Sequence, residues 1–404
     1  MNAKVIGENI ATLRKKQGLT QQELAERLDV SNKAVSKWEN GQGYPDIAQF
    51  PVLANLFGVS VDRLMSGQKK GITIAGNMLV DTVKNIESFP EPGMLAYISE
   101  ISRAVGGCVP NVAIDLAKID RSLPLNALGR LGNDENGRYV LSQLQIHGIN
   151  TDRVVYDEKE PTSFSDVMSV PSGERTFFHH KGANVNFSAE DVDVKNLDCD
   201  IFHIGYILLL DALDAFDETY GTKMARLLKA VQDEGIKTSV DVVSSNDGGY
   251  AEKIVPALKY CDYLIINEIE CAAIFDLSAY DSNGDIDKKA IRLAMEKCAE
   301  KGVKEKVIVH CKEIGFALDV ASGAFTEVPS LEIPKEEIKG SVGAGDAYCA
   351  GSLYALYNGY SDAQILEFAS SAAACNLFSA NSVDGMKTKT EIEKMSEKYG
   401  RKKI

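Results

Sequence analysis

The chain has 404 residues, of which 45% are hydrophobic, enough for one large domain with its own core and a smaller second domain. The net charge of −14 excludes nucleic-acid binding by the chain as a whole, because phosphate contacts need a local excess of cations. Residues 1–67 are an exception, with 8 basic and 7 acidic residues against 36 and 51 in the remainder. A nucleic-acid contact is therefore expected only from the N-terminal segment.

The spacing of the cysteines and the length of the apolar runs indicate the cellular compartment. The eight cysteines show no C-x-x-C pair and no zinc-type spacing to a histidine, which predicts scattered reduced thiols. No signal peptide opens the sequence, and its longest apolar runs are far too short to span a bilayer. We therefore expect a cytoplasmic protein with no membrane segment.

The first 67 residues predict a domain of five short helices. Thr20 and Glu23 form a capping box at one helix start, and Ser31 caps the next helix after a tight turn at Asp29. The apolar residues at helical spacing predict a small core. Its members are Ile6, Ile10, Leu13, Leu24, Leu28, Val35, Trp38, Ile47, Leu53, Leu56, Phe57, Leu64 and Met65.

Residues 68–71 are predicted to be a short polar linker, and residues 72–404 a second domain. Short apolar strands alternate with helices there, which indicates a parallel sheet covered on both faces. The predicted strands are 72–76, 124–128, 201–204, 238–242, 263–266 and 307–309, and the predicted helices include 109–116 and 137–145. Residues 162–170 and 175–180 predict a hairpin around Pro171-Ser172-Gly173, appended as a β-flap. The charged tail 387–404 is predicted to be a surface helix.

The turn from Gly343 through Ala344 and Gly345 to Asp346 carries the most chemical information. Small residues at a helix start leave backbone N–H groups uncovered, and these groups bind an anion together with the helix dipole. A carboxylate beside that anion would repel a phosphate unless it had a chemical task, and proton removal from an attacking hydroxyl is such a task. The turn therefore predicts phosphoryl transfer.

Three further polar clusters follow predicted strands, at the end of the sheet where α/β sites lie. Two of them suit a polyol, because their side chains bond hydroxyls and their glycines let a ligand approach the backbone. The third pairs an amide with a carboxylate three residues on, which suits magnesium. The clusters are Asn77 with Asp81, Gly106 and Gly107 with Asn111, and Asn267 with Glu270.

In these motifs the large domain resembles the ribokinase-like carbohydrate kinases, also called the phosphofructokinase B family. One family signature is matched by Gly106-Gly107, Asn111 and the segment 128–134, and the other by the segment 342–347 with Gly351. The resemblance implies an α/β sandwich with a mostly parallel sheet of about nine strands, helices on both faces, and a small β-lid formed by segments near 81–103 and 162–180. In several relatives that lid also makes a dimer contact, so a homodimer is expected.

The resemblance also implies roles for single residues. Asp346 matches the catalytic base, and Gly343, Ala344 and Gly345 match the anion hole that also contacts ATP. Substrate contacts are expected from Asn77, Asp81, Gly106, Gly107 and Asn111. Magnesium is expected at Glu270 and Asn267, and the nucleotide at Asn267, Lys312 and Gly315.

Two positions depart from the family pattern. Gly340 stands where the family usually has an acidic residue, so a supporting carboxylate is lost while the base is kept. Val309-His310-Cys311-Lys312 replaces a Thr-x-Gly pattern on the nucleotide side, and Lys312 is equally well interpreted as a phosphate contact or as an exposed loop residue. The adjacent His179 and His180 should face opposite ways on a strand, which favours a lid or dimer contact over a metal site.

The N-terminal domain resembles the phage-repressor-like helix-turn-helix family over residues 6–65. The resemblance implies that the helix from Ser31 to Asn40 enters the major groove of double-stranded DNA. Its outward residues are Asn32, Lys33, Ser36 and Lys37, while Gln21, Gln22 and Arg14 are expected to hold phosphates. A protein-binding helical bundle is the alternative, because the basic excess is only one charge.

The leading hypothesis is an ATP- and Mg²⁺-dependent sugar kinase fused to a DNA-binding module that regulates transcription. One alternative is a regulator whose kinase fold only senses a sugar. The other is a nucleoside kinase of the same fold. The retained Asp346 and Glu270 favour catalysis, whereas Gly340 weighs against it.

Overall fold

The computed structural model describes residues 2–57, 59, 61–66, 70–172, 174–244 and 249–404. Two residues of the predicted linker, 68 and 69, and Gly173 of the predicted hairpin turn lie outside these ranges. The N-terminal part contains the five predicted helices. They are α1 (Ala3–Lys16), α2 (Gln21–Arg27), α3 (Asn32–Glu39), α4 (Gln49–Phe57) and α5 (Val61–Ser66).

The helix starts of this part follow the sequence signals. The Thr20 side chain accepts from the backbone N–H of Glu23, and the Glu23 carboxylate accepts from that of Thr20. Asp29 makes the turn between α2 and α3 with φ of 52°, and Ser31 caps α3. Most of the predicted core is buried, but Ile47 is 79% exposed and its assignment to the core was wrong, because it lies before α4 begins.

The large domain is built on an eight-stranded sheet. The order across this sheet is β16-β15-β14-β13-β12-β9-β1-β4. Its strands are β1 (Ile72–Gly76), β4 (Leu125–Leu128), β9 (Ile201–Ile207), β12 (Lys237–Val242), β13 (Tyr263–Asn267), β14 (Lys306–His310), β15 (Ile314–Asp319) and β16 (Phe325–Pro329).

Six neighbouring strands of this sheet pair in parallel, as the alternation of strands and helices predicts. In order across the sheet they are β4, β1, β9, β12, β13 and β14. The last two strands, β15 and β16, pair antiparallel and were not foreseen. They are joined to β14 and to each other by short turns, which permit only antiparallel pairing. With eight strands in the described part of the chain, the sheet is close to the nine expected.

Helices cover both faces of the sheet. One apolar core packs α6, α7, α13 and α14 against one face, and a second core packs α9 to α12 against the other. These helices are α6 (Cys108–Ile119), α7 (Glu135–Ile146), α8 (Asp211–Asp214), α9 (Lys223–Asp233), α10 (Tyr250–Leu258), α11 (Glu268–Ala273), α12 (Lys288–Lys301), α13 (Ala344–Asn358) and α14 (Asp362–Asn376).

A separate four-stranded sheet forms the expected lid, in the order β3-β2-β7-β8. Its strands are β2 (Leu79–Ile86), β3 (Ile98–Gly106), β7 (Ser163–Ser169) and β8 (Arg175–His180). β7 and β8 pair antiparallel, so the predicted hairpin is confirmed. Two short pairs complete the strands: β5 (Arg130–Gly132) with β6 (Val155–Asp157), and β10 (Phe216–Asp217) with β11 (Gly221–Thr222).

The C-terminal tail differs from the prediction of one surface helix. It forms two short helices, α15 (Lys389–Glu393) and α16 (Met395–Lys398). Ile392, Met395 and Tyr399 are buried against the core that contains α13 and α14. The tail is therefore part of the domain, because its apolar residues pack at a spacing that its many charges obscure in the sequence.

Candidate active site

The polar clusters meet where the strand order reverses direction. From β1 the chain continues to β4 on one side of the sheet and later returns to β9 on the other side. The carboxyl ends of β1 and β9 lie side by side, with Gly76 opposite Gly205. Ligands of open α/β sheets bind outside the strand ends at such a switch point. The topology therefore places the candidate site here.

The predicted anion turn lies at the N-terminus of α13. Gly343 is the N-cap residue with φ of 78°, and a Cβ there would lie 2.5 Å from the Cβ of Ser382. Gly345 differs, because its nearest neighbour would be His310 Cε1 at 3.7 Å, an ordinary contact distance. Packing within the protein thus requires glycine at 343 but leaves the space beside Gly345 open, as a backbone anion site needs.

Asp346 lies in the first turn of α13 and is only 7% exposed. The Tyr206 hydroxyl donates to its Oδ1, and Asn111 Nδ2 donates to its Oδ2 over 2.9 Å. Ser382 Oγ donates to Asn111 Oδ1 over 2.8 Å, so the Asn111 amide group is oriented with its nitrogen towards the carboxylate. A polar chain of four side chains therefore fixes the predicted base.

Burial is the main cause that raises the pKa of Asp346 to about 6. The hydrogen bonds from Tyr206 and Asn111 oppose that rise, and the charge of Asp81 adds to it. A carboxyl group with this pKa is ionised at neutral pH and is still basic enough to take a proton, which suits general-base catalysis.

Asp81 lies on the lid strand β2, at one end of a row of three polar side chains that crosses the lid sheet. It is opposite Ser165 on β7, which in turn is opposite His179 on β8, so the three side chains share one face. Ser165 Oγ and His179 Nδ1 are 3.1 Å apart. Burial raises the pKa of Asp81, and a hydrogen bond from Ser165 opposes the rise. The charge of Asp81 in turn raises the pKa of Asp346. Asp81 thus lies within a strand.

The glycines and Asn77 around Asp81 have structural tasks. A Cβ on Gly106 would lie 2.4 Å from Asp81 Oδ2, and a Cβ on Gly107, which has φ of 88°, would lie 2.7 Å from the Asn77 carbonyl oxygen. Asn77 Oδ1 accepts from the Cys108 backbone N–H over 2.9 Å, at the start of α6. These residues therefore shape the wall between β1 and α6.

Asn267 and Glu270 form a capping box at the start of α11. Asn267 Oδ1 accepts from the Glu270 backbone N–H, and Glu270 Oε2 accepts from that of Asn267. Ser244 Oγ donates to the other oxygen, Glu270 Oε1, over 2.8 Å. Burial raises the pKa of Glu270 to about 7. Asp241, at the end of β12, has a pKa raised by burial and by the charges of Glu270 and Asp346.

Lys312 and Gly315, which were expected to contact the nucleotide, differ in their exposure. The Lys312 side chain is 85% exposed, with its Nζ 3.3 Å from Glu313 Oε1. Gly315 is buried in β15, where a Cβ would lie 2.3 Å from the Tyr348 hydroxyl. His310 stacks on the Tyr348 ring at 4.5 Å between centroids. The geometry thus gives Gly315 a packing task and leaves Lys312 at the surface.

In the helical domain, Asn32, Lys33 and Lys37 are exposed along α3, and Ser36 is half-buried. Arg14 is buried instead and forms a bidentate ion pair with Glu39, so the expectation that it contacts phosphates was wrong. The other two predicted phosphate contacts also have partners within the domain. They are Gln21, bonded to Glu39, and Gln22, bonded to Glu26.

Comparisons with known proteins identify both parts of the chain. The profile of the pfkB family of carbohydrate kinases matches residues 69–389. The chain belongs to this family. A helix-turn-helix profile matches residues 10–64. The predicted family, the kinase class with an alcohol group as acceptor, and the N-terminal helix-turn-helix are therefore confirmed.

Relatives in the family include the 5-dehydro-2-deoxygluconokinase of Shouchella clausii, 24% identical over 83% of this chain and 98% of that protein. The protein of that name from Listeria monocytogenes is 25% identical over 72% and 86%. Among solved structures, Arabidopsis thaliana ribokinase with ribose and ATP covers 81% of this chain and 99% of that one, with a TM-score of 0.65 and 21% identity. Xylella fastidiosa fructokinase with ATP covers 82% and 99%, with a TM-score of 0.63 and 20% identity. These structures confirm the fold.

Within the described ranges, no helix combines the length and apolar character that crossing a bilayer requires.

Several side chains of the site were missed in the sequence. Tyr206 and Asp241 each lie within two residues of the carboxyl end of a predicted strand, so attention to every strand end would have found them. Ser165 and His179 lie on the predicted hairpin opposite Asp81, but only the register of the lid reveals this. Ser382 lies in an irregular segment after α14 and carries no local signal.

Proposed function

We propose that this member of the family transfers the γ-phosphoryl group of ATP to a hydroxyl of a neutral sugar or polyol, with Asp346 as the general base. The observation that supports this most is the position of Asp346: one residue beyond the open backbone of Gly345, at a helix N-terminus, and held by Tyr206 and Asn111. An anion held at the turn is thereby adjacent to a base.

In this mechanism Asp346 accepts the proton of the acceptor hydroxyl as its oxygen attacks the γ-phosphorus in line. The backbone N–H groups of the turn from Gly343 to Gly345 stabilise negative charge on the transferring phosphoryl group. Tyr206 and Asn111 keep Asp346 ionised and oriented. The lid residues Asp81, Ser165 and His179 would bond the remaining hydroxyls of the acceptor.

The residues around Glu270 fit a magnesium ion. Glu270 and Asp241 are two buried carboxyl groups whose raised pKa values reflect burial without a compensating cation, and no described Lys or Arg forms an ion pair with either. Mg²⁺ prefers oxygen ligands and usually keeps several waters, so Glu270, Asp241 and Asn267 would hold it directly or through water. When bound, the ion would neutralise negative charge on the phosphate groups of the nucleotide.

The charge of the acceptor pocket favours a neutral substrate. Asp81 lies on its lid side and is half-buried, whereas the proposed general base Asp346 is buried, and neither carboxyl group forms an ion pair with a described Lys or Arg. Arg103 is opposite Thr82, the neighbour of Asp81, so it projects from the other face of the lid. A sugar acid would bring a third negative charge into this pocket. We therefore place neutral polyols ahead of the acid substrate in the name of the Shouchella clausii relative.

The test is steady-state turnover of ATP with a panel of acceptors: ribose, fructose, other neutral sugars, nucleosides and 5-dehydro-2-deoxygluconate. A neutral sugar should give the highest kcat/KM, and Asp346→Asn should lower kcat for it on the order of a hundred-fold or more. Asp115→Asn is the matched control, because Asp115 is a fully buried carboxyl group on α6 whose pKa is raised well above its usual range by burial. Full activity of Asp346→Asn would overturn the proposal, and the absence of turnover on every acceptor would favour a sugar sensor.

We also propose that the helix-turn-helix domain binds double-stranded DNA as part of a homodimer and couples sugar availability to transcription. The exposed Asn32, Lys33 and Lys37 on α3 support the DNA contact. The eight unpaired cysteines agree with a cytoplasmic location. Operator affinity measured with and without sugar and ATP tests the coupling, and identical affinities would reject it.

A further inference from the structure

A buried cluster of metal-ligand side chains lies directly beneath the candidate site, and the proposed reaction does not use it as a cluster. His203 is in the middle of β9, Cys349 is on α13 three residues after Asp346, and Asp241 is the penultimate residue of β12. One ligand atom from each of these three residues lies within 4.8 Å of the others. His203 is completely buried, and Cys349 and Asp241 are 1% and 8% exposed.

Both ring nitrogens of His203 have close polar partners. Its Nδ1 is 3.0 Å from Ser239 Oγ, and its Nε2 is 3.6 Å from Cys349 Sγ and 3.5 Å from Cys108 Sγ. Complete burial disfavours the charged form of the His203 ring, so the ring is neutral. When Nδ1 carries the proton, Nε2 has one lone pair, which only one of the two thiols can use.

The same geometry resembles a ligated histidine. A histidine that binds a metal through Nε2 usually holds its Nδ1–H with a polar partner, the position that Ser239 takes here. With Zn–S near 2.3 Å and Zn–N near 2.05 Å at a tetrahedral angle, sulfur and nitrogen ligands lie about 3.5 Å apart. The two separations between His203 Nε2 and the sulfur atoms, 3.5 and 3.6 Å, match this value.

We propose that His203, Cys349 and Asp241 form a binding site for a thiophilic divalent ion of the zinc class, with Cys108 beside it as a fourth candidate ligand. Mixed nitrogen, sulfur and carboxylate donors select zinc over magnesium, which prefers oxygen alone. The order of the residues along the chain conceals this site, because the three ligands come from three separate elements.

Binding has a defined proton balance. The Cys349 thiol loses its proton to solvent as the Sγ–Zn bond forms, while His203 and the Asp241 carboxylate contribute lone pairs. Asp241 interacts electrostatically with Glu270 and Asp346, and its engagement by the ion would withdraw it from the phosphate side of the site. The ion would therefore inhibit phosphoryl transfer reversibly, without competing for the acceptor sugar.

The first test is Co²⁺ binding to the wild-type chain without nucleotide, because a cobalt–thiolate bond gives a charge-transfer absorption that oxygen ligands do not. One equivalent per chain should produce this band, and Zn²⁺ but not excess Mg²⁺ should remove it. A wild-type chain that produces no band overturns the proposal, whatever its catalytic activity.

The second test compares Cys349→Ala with Cys375→Ala. Both thiols are buried, on the adjacent helices α13 and α14, so the two variants lose similar packing. The band should weaken by about half or disappear in Cys349→Ala, where Cys108 Sγ is the one candidate sulfur ligand left in the cluster, and persist unchanged in Cys375→Ala. A band of full intensity in the first variant, or an equal loss in both, contradicts the assignment of the ion to this cluster.

Discussion

The Tyr206 hydroxyl donates a hydrogen bond to Oδ1 of Asp346, the oxygen that Asn111 does not contact. Tyr206 follows Gly205 at the carboxyl end of β9, and Asp346 begins α13, so two elements 140 residues apart meet in one bond. Of the forces on the pKa of Asp346, this bond is the largest that opposes the effect of burial. It therefore sets how acidic the solution must become before the base is neutralised.

Replacing Tyr206 by Phe removes that bond and should raise the pKa of Asp346. Hydrogen bonds to charged groups contribute about 1.5–3 kcal/mol, so the acid limb of kcat/KM should move up by roughly one to two pH units. The measurement is a pH profile with the best acceptor.

Tyr354→Phe is the control for this change. Tyr354 is a buried tyrosine on the same helix as Asp346, and its hydroxyl faces Asp120 at 3.4 Å. Its removal should leave the acid limb where it is. Equal profiles for Tyr206→Phe and wild type would show that the bond does not govern the base.

The two glycines of the turn should respond differently to alanine. Gly345→Ala adds a methyl group to open space within a helix, so the melting temperature should hold or rise slightly, while kcat should fall roughly tenfold or more because the anion site is obstructed. Gly343→Ala meets Ser382 at a positive φ and should destabilise the fold by about 1–3 kcal/mol. Thermal unfolding and steady-state kinetics separate the two effects. An active, stable Gly345→Ala enzyme would refute a backbone anion site there.

Magnesium should stabilise the chain more at high pH than at low pH. Glu270 has a pKa raised from its usual value of 4.5 to about 7, so its contribution to stability is fully present below pH 4.5 and is lost as the pH rises through 7. Mg²⁺ binds the ionised form, so it should raise the melting temperature by roughly 3–6 °C at pH 8 and hardly at all at pH 5. Thermal unfolding with and without Mg²⁺ tests this, with Glu270→Gln as the variant that should lose the difference. A pH-independent effect of Mg²⁺ would exclude Glu270 as its ligand.

The double variant Lys33→Ala/Lys37→Ala should weaken binding to a random-sequence DNA duplex and reduce the slope of log affinity against log salt by about 2. The control is Lys289→Ala/Lys301→Ala, which removes the same charge from exposed positions of α12. Fluorescence anisotropy over a salt series measures both. If the two double variants bind equally well, α3 does not face the DNA.

Local signals in the sequence predicted most of the architecture. Thr20, Glu23 and Ser31 determine helix starts through bonds to neighbours three residues away, and the buried strands β1, β13 and β14 each contain a short apolar run. The antiparallel β15 and β16 were missed, although residues 314–318 of β15 form a buried run without polar side chains; β16 alternates only weakly between polar and apolar residues. Ile47 was misassigned because apolar character alone does not say whether a residue lies inside a helix.

The candidate site was only partly predictable, for a physical reason. Asp346, Gly343 and Glu270 lie in motifs whose chemistry is local to a few residues. Tyr206 and Ser382 act through side-chain bonds to partners more than a hundred residues away, and only the folded chain brings these together. Arg14 was expected to contact phosphates, but it is buried because it pairs with Glu39, which belongs to another helix.

The bond between Ser382 and Asn111 joins positions 271 residues apart and orients the amide that holds Asp346. During synthesis, residues 1–67 leave the ribosome long before Ser382 is added. A nascent or prematurely terminated polypeptide would thus carry the helix-turn-helix segment with its own apolar cluster, but not the assembled site around Asp346. If this segment binds DNA as we propose, errors late in translation would yield molecules that bind DNA without phosphotransferase activity.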